Sequence, residues 1–342
     1  MNRPGAMIGN RNNSHANWIV GVAIVGLAAS VDCSEQEGMA PQARSGPHGT
    51  ATNREDRAVS LLGRPLLGRP LLPAETTQDD KRLKELADAR RHLAERPDDP
   101  DRVIWVGRRL GYLWRMNDAI DVFTEGITAH PDYAPLYRHR GHRYISLRRF
   151  DKALDDLERA AELIRGQPSE VEPDGLPNTR NIPLTTTAFN VWYHLGLARY
   201  LKGDYKGALS AYHRTMQFSH RYDDNLVATT YWTYLTLRRL GWSVDAKSIL
   251  RPIRRDMDII ENHAYHRLLL VFKGVATPEN VIEEFESVRV DAATFGYGLG
   301  MGHLLNGEPD LARKAFVRVV EIGPWPAFGA IAAEVELARS GD

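Results

Sequence analysis

A single cysteine, Cys33, stands among 342 residues, which excludes an intramolecular disulfide framework and a cysteine-rich zinc site. Neither sign of charge is in excess. Lys+Arg and Asp+Glu each total 44, so no net field draws the chain to nucleic acid or to an acidic membrane surface. An apolar run of spanning length is missing as well: a membrane helix needs about 20 residues, and WIVGVAIVGLAASV at 18–31 stops at 14. Nucleophile-elbow, P-loop and H-E-x-x-H motifs do not occur, so no catalytic class is indicated and no cofactor is implied.

That short apolar run is the first feature that is present. Arg3 and Arg11 precede it and small residues follow, the three-part pattern of a secretory signal peptide. Cleavage after Ser30 is one expectation, because Ala28 and Ser30 are small at the two positions a signal peptidase inspects. Cys33 resembles the lipid-modified cysteine of bacterial lipoproteins, which makes lipidation the other; Asp32 departs from the Gly, Ala or Ser of that cleavage box. Residues 1–33 are therefore expected to direct export to the cell envelope or periplasm, with Cys33 as a candidate membrane tether. Residues 34–77 are polar, rich in Gly and Pro, and without helical period. LLGRPLLGRPLLP at 61–73 is a tandem duplication, and proline at every fifth residue excludes a helix. A disordered linker is expected there.

Residue spacing carries the fold. Gly107 and Gly141 lie 34 residues apart, as do Ala119 and Ala153, and Pro97 and Pro131. Each glycine precedes its alanine by 12 residues, and the same interval separates Gly196 from Ala208 and Gly300 from Ala312. Ala246 marks a further copy in which Tyr234 replaces the glycine. This pattern resembles the tetratricopeptide repeat (TPR), a 34-residue pair of antiparallel helices. WYHLGLARYLKGDYKGALSAY at 192–212 is the clearest copy. The resemblance implies an all-α, right-handed α-solenoid over 78–340, with about six helix pairs, one or two of them degenerate. DDKRLKELADARRHLAERP is expected to cap one end, and a helix at about 325–339 the other. NHAYHRLLLVFKG and PENVIEEFESV have the length for one more pair.

The array also explains GYGLGMG at 296–302, whose alternate glycines suggest a phosphate loop at first sight. Gly300 occupies the repeat's glycine position, the G-x-G-x-x-G spacing fails, and no strand precedes it. A first helix of a pair is expected, soft on account of its extra glycines.

In the family, first helices line a concave groove, and ligand-facing positions fall three before and one after the repeat glycine. The resemblance thus implies a peptide-binding groove containing Arg108, Arg138, His142, Tyr193 and Tyr231, with Asn190 six before its glycine. Such a groove is basic at its N-terminal end and aromatic beyond, suited to a partner with an acidic group or C-terminal carboxylate. The Lys and Asn carboxylate clamp familiar in the family is not reproduced. Between Gly141 and Gly196 the phase slips by 21 residues, which assigns 166–186 to an inserted loop. Its early Glu170, Glu172 and Asp174 suit a lid or internal pseudo-ligand over a basic groove. His139 with His142, and His263 with His266, are i, i+3 pairs, yet no third metal ligand is indicated. The expected role is a non-enzymatic protein-interaction scaffold or adaptor. The alternatives are an enzyme using the histidines or the loop, and an assembly lipoprotein that binds through its convex face.

Overall fold

A computed structural model describes residues 58–66, 76–278 and 289–341. The signal segment, Cys33 and most of the linker lie outside these residues, as does most of PENVIEEFESV. Thirteen helices are described: α1 Thr76–Glu95, α2 Pro100–Tyr112, α3 Met116–Ala129, α4 Ala134–Ser146, α5 Phe150–Leu163, α6 Thr187–Lys202, α7 Tyr205–Met216, α8 Asp223–Arg239, α9 Ser243–Ile249, α10 His263–Phe272, α11 Arg289–Leu305, α12 Pro309–Ile322 and α13 Phe328–Ser340.

One register governs the pairs α2–α3, α4–α5, α6–α7 and α11–α12, and it has a physical cause at each step. The glycine gives the crossing point its clearance. A Cβ at Gly107, Gly141, Gly196 or Gly300 would strike Phe123, Leu157, Tyr212 or Phe316, in every case the residue 16 positions later. The alanine 12 positions after the glycine is nearly inaccessible: Ala119, Ala153 and Ala208 are 0% exposed and Ala312 is 1%. Seven residues after the glycine the chain turns through a left-handed conformation, at Trp114, Arg148, Gly203 and Gly307. Pair α8–α9 keeps this turn at Gly241, although Tyr234 holds the glycine's place. A hydrogen bond then closes each helix end across five residues, from Arg115 N to Leu110 O, Arg149 N to Tyr144 O, and Asp204 N to Arg199 O. This is the Schellman closure that a left-handed residue makes available. Helix α9 has only 7 residues, because Pro252 disfavours helical geometry at Arg251 and lacks the donor needed to continue. The architecture is an all-α solenoid of tetratricopeptide type.

The first helices α2, α4, α6, α8 and α10 touch one another in succession, whereas the second helices α3, α5 and α7 pack on their own partner and the next first helix. The first helices are therefore the inner layer. Burial agrees: α8 is buried without a break from Val227 to Leu237, while α7 buries one face.

The last helix lies against this inner layer rather than at the array's end alone. It packs on α11 and α12, but its side chains also reach far back along the array. Phe328 meets His142 and His194, with ring centroids 5.2 and 5.7 Å apart. Glu334 receives Arg148 Nη2 at 2.8 Å, Glu336 pairs with Arg239, and Arg339 donates to Leu201 O at 2.7 Å. Trp325, just before α13, sits edge-on to Trp114 at 5.6 Å. The two non-glycine residues in the left-handed turns of the repeat pairs, Trp114 and Arg148, are thus the ones whose side chains engage α13 and its approach. Part of the linker joins the same place. Residues 58–66 form a turn with a Val59–Pro65 bridge, and Leu61 N donates to Glu334.

Helix α11 is closely framed on two sides. Gly298 faces Leu268 of α10, and Gly296 and Gly300 face Val319 and Phe316 of α12. Its bare surfaces let two neighbours approach at once, and that packing offsets the propensity cost of about 1 kcal/mol per glycine.

Candidate functional site

The segment between α5 and α6 contains no helix, and its base is tied down. Val171 and Thr186 form an antiparallel bridge, Glu172 N donates to Thr185 O at 3.0 Å, and Thr187 N donates to Glu170 O at 2.9 Å. Asn225 of α8 donates to Leu184 O at 2.7 Å. Further out, Arg180 grips Asp258 through both nitrogens at 2.7 and 2.6 Å. The loop therefore leaves α5, crosses the inner layer and returns over the N-termini of α6 and α8.

Its acidic stretch lands on α2, α4 and α6. Arg138 Nη2 lies 3.0 Å from Glu172 Oε1, and Asn190 Nδ2 donates to Glu172 Oε2 at 2.9 Å. Arg108 Nη1 donates to Pro173 O at 2.7 Å, and Arg109 Nη1 to Gly175 O at 3.0 Å. Both α2 guanidiniums also lie over the Trp105 ring, at 4.8 and 5.1 Å. Gly175 fits because it has no Cβ; one would collide with Tyr112 and Arg108. Four side chains on one wall thus read a carboxylate and two backbone carbonyls on the other. A cavity of about 150 Å³ remains beside Glu172, bordered by Arg108, Arg138, Asn190, Asp174 and Glu261.

Burial sets the electrostatics. Arg138 is 7% exposed and Glu172 is 8%. Removing the guanidinium from water lowers its proton affinity, and the Glu172 carboxylate pulls it back up. His139, His142 and His194 are all held well below the usual imidazole range, by burial first and by neighbouring arginines second. Arg143 is brought down to about 10, chiefly by burial. Neutral His139 accepts from Arg138 through Nδ1 at 2.9 Å, which leaves its proton on Nε2. Arg138 Nε and His142 Nδ1 are buried with no hydrogen-bond partner.

Of the residues expected in the groove, Arg108, Arg138 and Asn190 converge on one short segment. His142 does not join them; it stacks with His194 at 4.5 Å beneath Phe328. Tyr193 and Tyr231 belong to the packed interior, at 6% and 0% exposure. Tyr193 lies against Phe189, and Tyr231 lies between Trp232 and Tyr265. Their rings fill the seams between helices, so the aromatic half of the groove is core. His266 caps a carbonyl, with Nε2 2.7 Å from Arg254 O. Among the described residues no three His, Cys, Asp or Glu side chains are grouped to hold a metal. Sequence reasoning missed Arg109 and the seating of Gly175. Asp174-Gly175 is a turn-type pair in sequence, and nothing in it points to contact with α2.

No family model matches the chain, and no curated protein matches it. Solved structures with a similar course are TPR proteins. YrrB, described as a TPR protein with an unusual peptide-binding site, is 14% identical over 71% of this chain and 95% of its own, with a TM-score of 0.37. A tetratricopeptide repeat protein from Parabacteroides merdae is 14% identical over 78% and 95%, with a TM-score of 0.44. The TPR domain of P58(IPK) is 12% identical over 78% and 86%, with a TM-score of 0.23. At such identity and fit, nothing is transferred from them to this chain.

Proposed function

We propose that the chain is a non-enzymatic interaction scaffold that holds an acidic peptide segment of a partner protein against Arg108, Arg138 and Asn190. One observation carries this reading: a buried carboxylate, Glu172, sits there with one oxygen on Arg138 and the other on Asn190. Charge-assisted pairing of this kind is strong when desolvated and selects for carboxylates. Helix α13 lies on the same inner layer, against His142, His194, Leu201 and Arg239, so the ligand is placed beside the inserted loop rather than along the whole groove. The test is affinity capture from the native cell envelope, comparing wild type with Arg108→Glu plus Arg109→Glu. A partner retained by wild type and lost by the double variant supports the reading. Identical captures from both overturn it and favour binding through the convex face.

The location is part of the proposal. Residues 1–33 are proposed to export the chain, with Cys33 as a lipid tether, on the three-part pattern of the segment. Metabolic labelling with a fatty acid, comparing wild type with Cys33→Ser, tests the tether. Label in both chains, or in neither, rules it out.

A further inference from the structure

We propose that residues 171–175, Val-Glu-Pro-Asp-Gly, are an internal copy of the ligand. The site would then take from a partner an extended segment with a carboxylate residue followed by proline. This inference rests on the peptide-binding role and specifies its chemistry. Four observations support it.

First, the contacts are of the kind one chain makes with another's backbone. Arg108 and Arg109 address the carbonyls of Pro173 and Gly175, and Arg138 and Asn190 address one side chain. Carbonyl contacts give affinity, and the carboxylate pocket gives selectivity. Second, only the first two residues of the copy share the loop's structural anchors. Val171 bridges Thr186 and Glu172 N donates to Thr185 O, and the Leu184 carbonyl and the Arg180–Asp258 pair secure the far limb, while Val171 and Leu176 are exposed at 42% and 52%. Releasing the tip therefore exposes little apolar surface.

Third, the internal copy fits incompletely. Arg138 uses Nη1 on His139 and Nη2 on Glu172, leaving Nε buried and unpaired. A buried donor without an acceptor is costly, and Arg138 also borders the unfilled cavity of about 150 Å³. A ligand that fills this space and settles the Arg138 side chain would bind better than the copy. Fourth, a tethered copy competes at an effective concentration in the millimolar range for short flexible links. That masks the site from weak acidic peptides and admits only a better or more concentrated one.

The experiment uses the full chain and a fluorescent peptide spanning Ser169–Asn178, titrated by anisotropy. Three proteins are compared: wild type, a chain with residues 170–178 replaced by as many Gly and Ser residues, and the replaced chain carrying Arg108→Ala. The expected result is binding at least tenfold tighter to the replaced chain than to wild type, lost on adding Arg108→Ala and absent for a scrambled peptide. Equal binding to wild type and the replaced chain overturns the inference, as does binding indifferent to Arg108. If the replaced chain fails to fold by circular dichroism, Glu172→Gln serves instead, since it keeps shape and removes charge. It should raise peptide affinity severalfold, and no change counts against the inference. A chain that captures its partner through Arg108 and Arg109, yet ignores the peptide when the copy is removed, keeps the scaffold role and loses the internal ligand.

Discussion

Two glycines in α11, a half-turn apart, make opposite predictions from one substitution. Alanine in place of a mid-helix glycine favours the helix by about 1 kcal/mol. At Gly302 the added methyl meets nothing nearer than Phe272 Cε1 at 3.8 Å, an ordinary contact. Gly302→Ala should therefore stabilise the chain by nearly that amount. At Gly300 the methyl would lie 2.7 Å from Phe316 Cδ1 and nearer still to Cε1. Phe316 is 3% exposed, and its ring is backed by Tyr297 at 5.7 Å, so it has little freedom to retreat. Overpacking of this kind costs about 1–3 kcal/mol. Gly300→Ala should thus be neutral to destabilising by about 2 kcal/mol, with the two variants separated by the cost of the overlap alone. Urea denaturation of the full chain measures the difference. Amide exchange in α11 measures it locally, which matters because repeat arrays need not unfold as one unit. Equal shifts in the same direction would refute the close-approach explanation of the glycine series.

Three further outcomes follow from the structure. Arg148→Met should cost about 3–5 kcal/mol in denaturant unfolding, because it strands Glu334 in the interior, and adding Glu334→Leu should recover most of the loss. Acidification should destabilise the fold. His139, His142 and His194 stay neutral when folded, whereas the unfolded chain takes up protons below about pH 6.5. Stability then falls with pH through that value, by up to about 1.4 kcal/mol per pH unit for each ring; melting curves from pH 7.5 to 5 should show it, less steeply in His142→Gln. Gly175→Ala should lift the loop tip from Tyr112 and Arg108, seen as faster amide exchange at 172–176 with unchanged exchange in α6 and α8.

Much of this was legible because it is local. Glycine, left-handed turn, alanine and crossing residue recur at offsets of 7, 12 and 16, and each offset is fixed within one helix pair. Arg108, Arg138 and Asn190 converge because positions one after, three before and six before the repeat glycine share one helical face on successive first helices. What the sequence hid is long-range. Arg148 finds Glu334 186 residues away, and no periodicity announces that α13 will lie along the inner layer. Tyr193 and Tyr231 occupy groove-facing register positions and yet end in the core, packed on Tyr212, Tyr265 and Phe272 of neighbouring helices. The acidic character of the inserted loop was visible, but which carboxylate enters depends on the Val171–Thr186 bridge, which orients Glu172 inward and leaves Glu170 exposed.

The most direct test of the scaffold is photo-crosslinking in the native cell, with a photoreactive residue placed at one position at a time. Leu176 borders the candidate site at 52% exposure, and Val244 on the second helix α9 is exposed at 82% far from it in sequence and register. The structure predicts a discrete partner adduct from position 176, reduced by Arg108→Glu plus Arg109→Glu, and none from position 244. An adduct from 244 with none from 176 would contradict it.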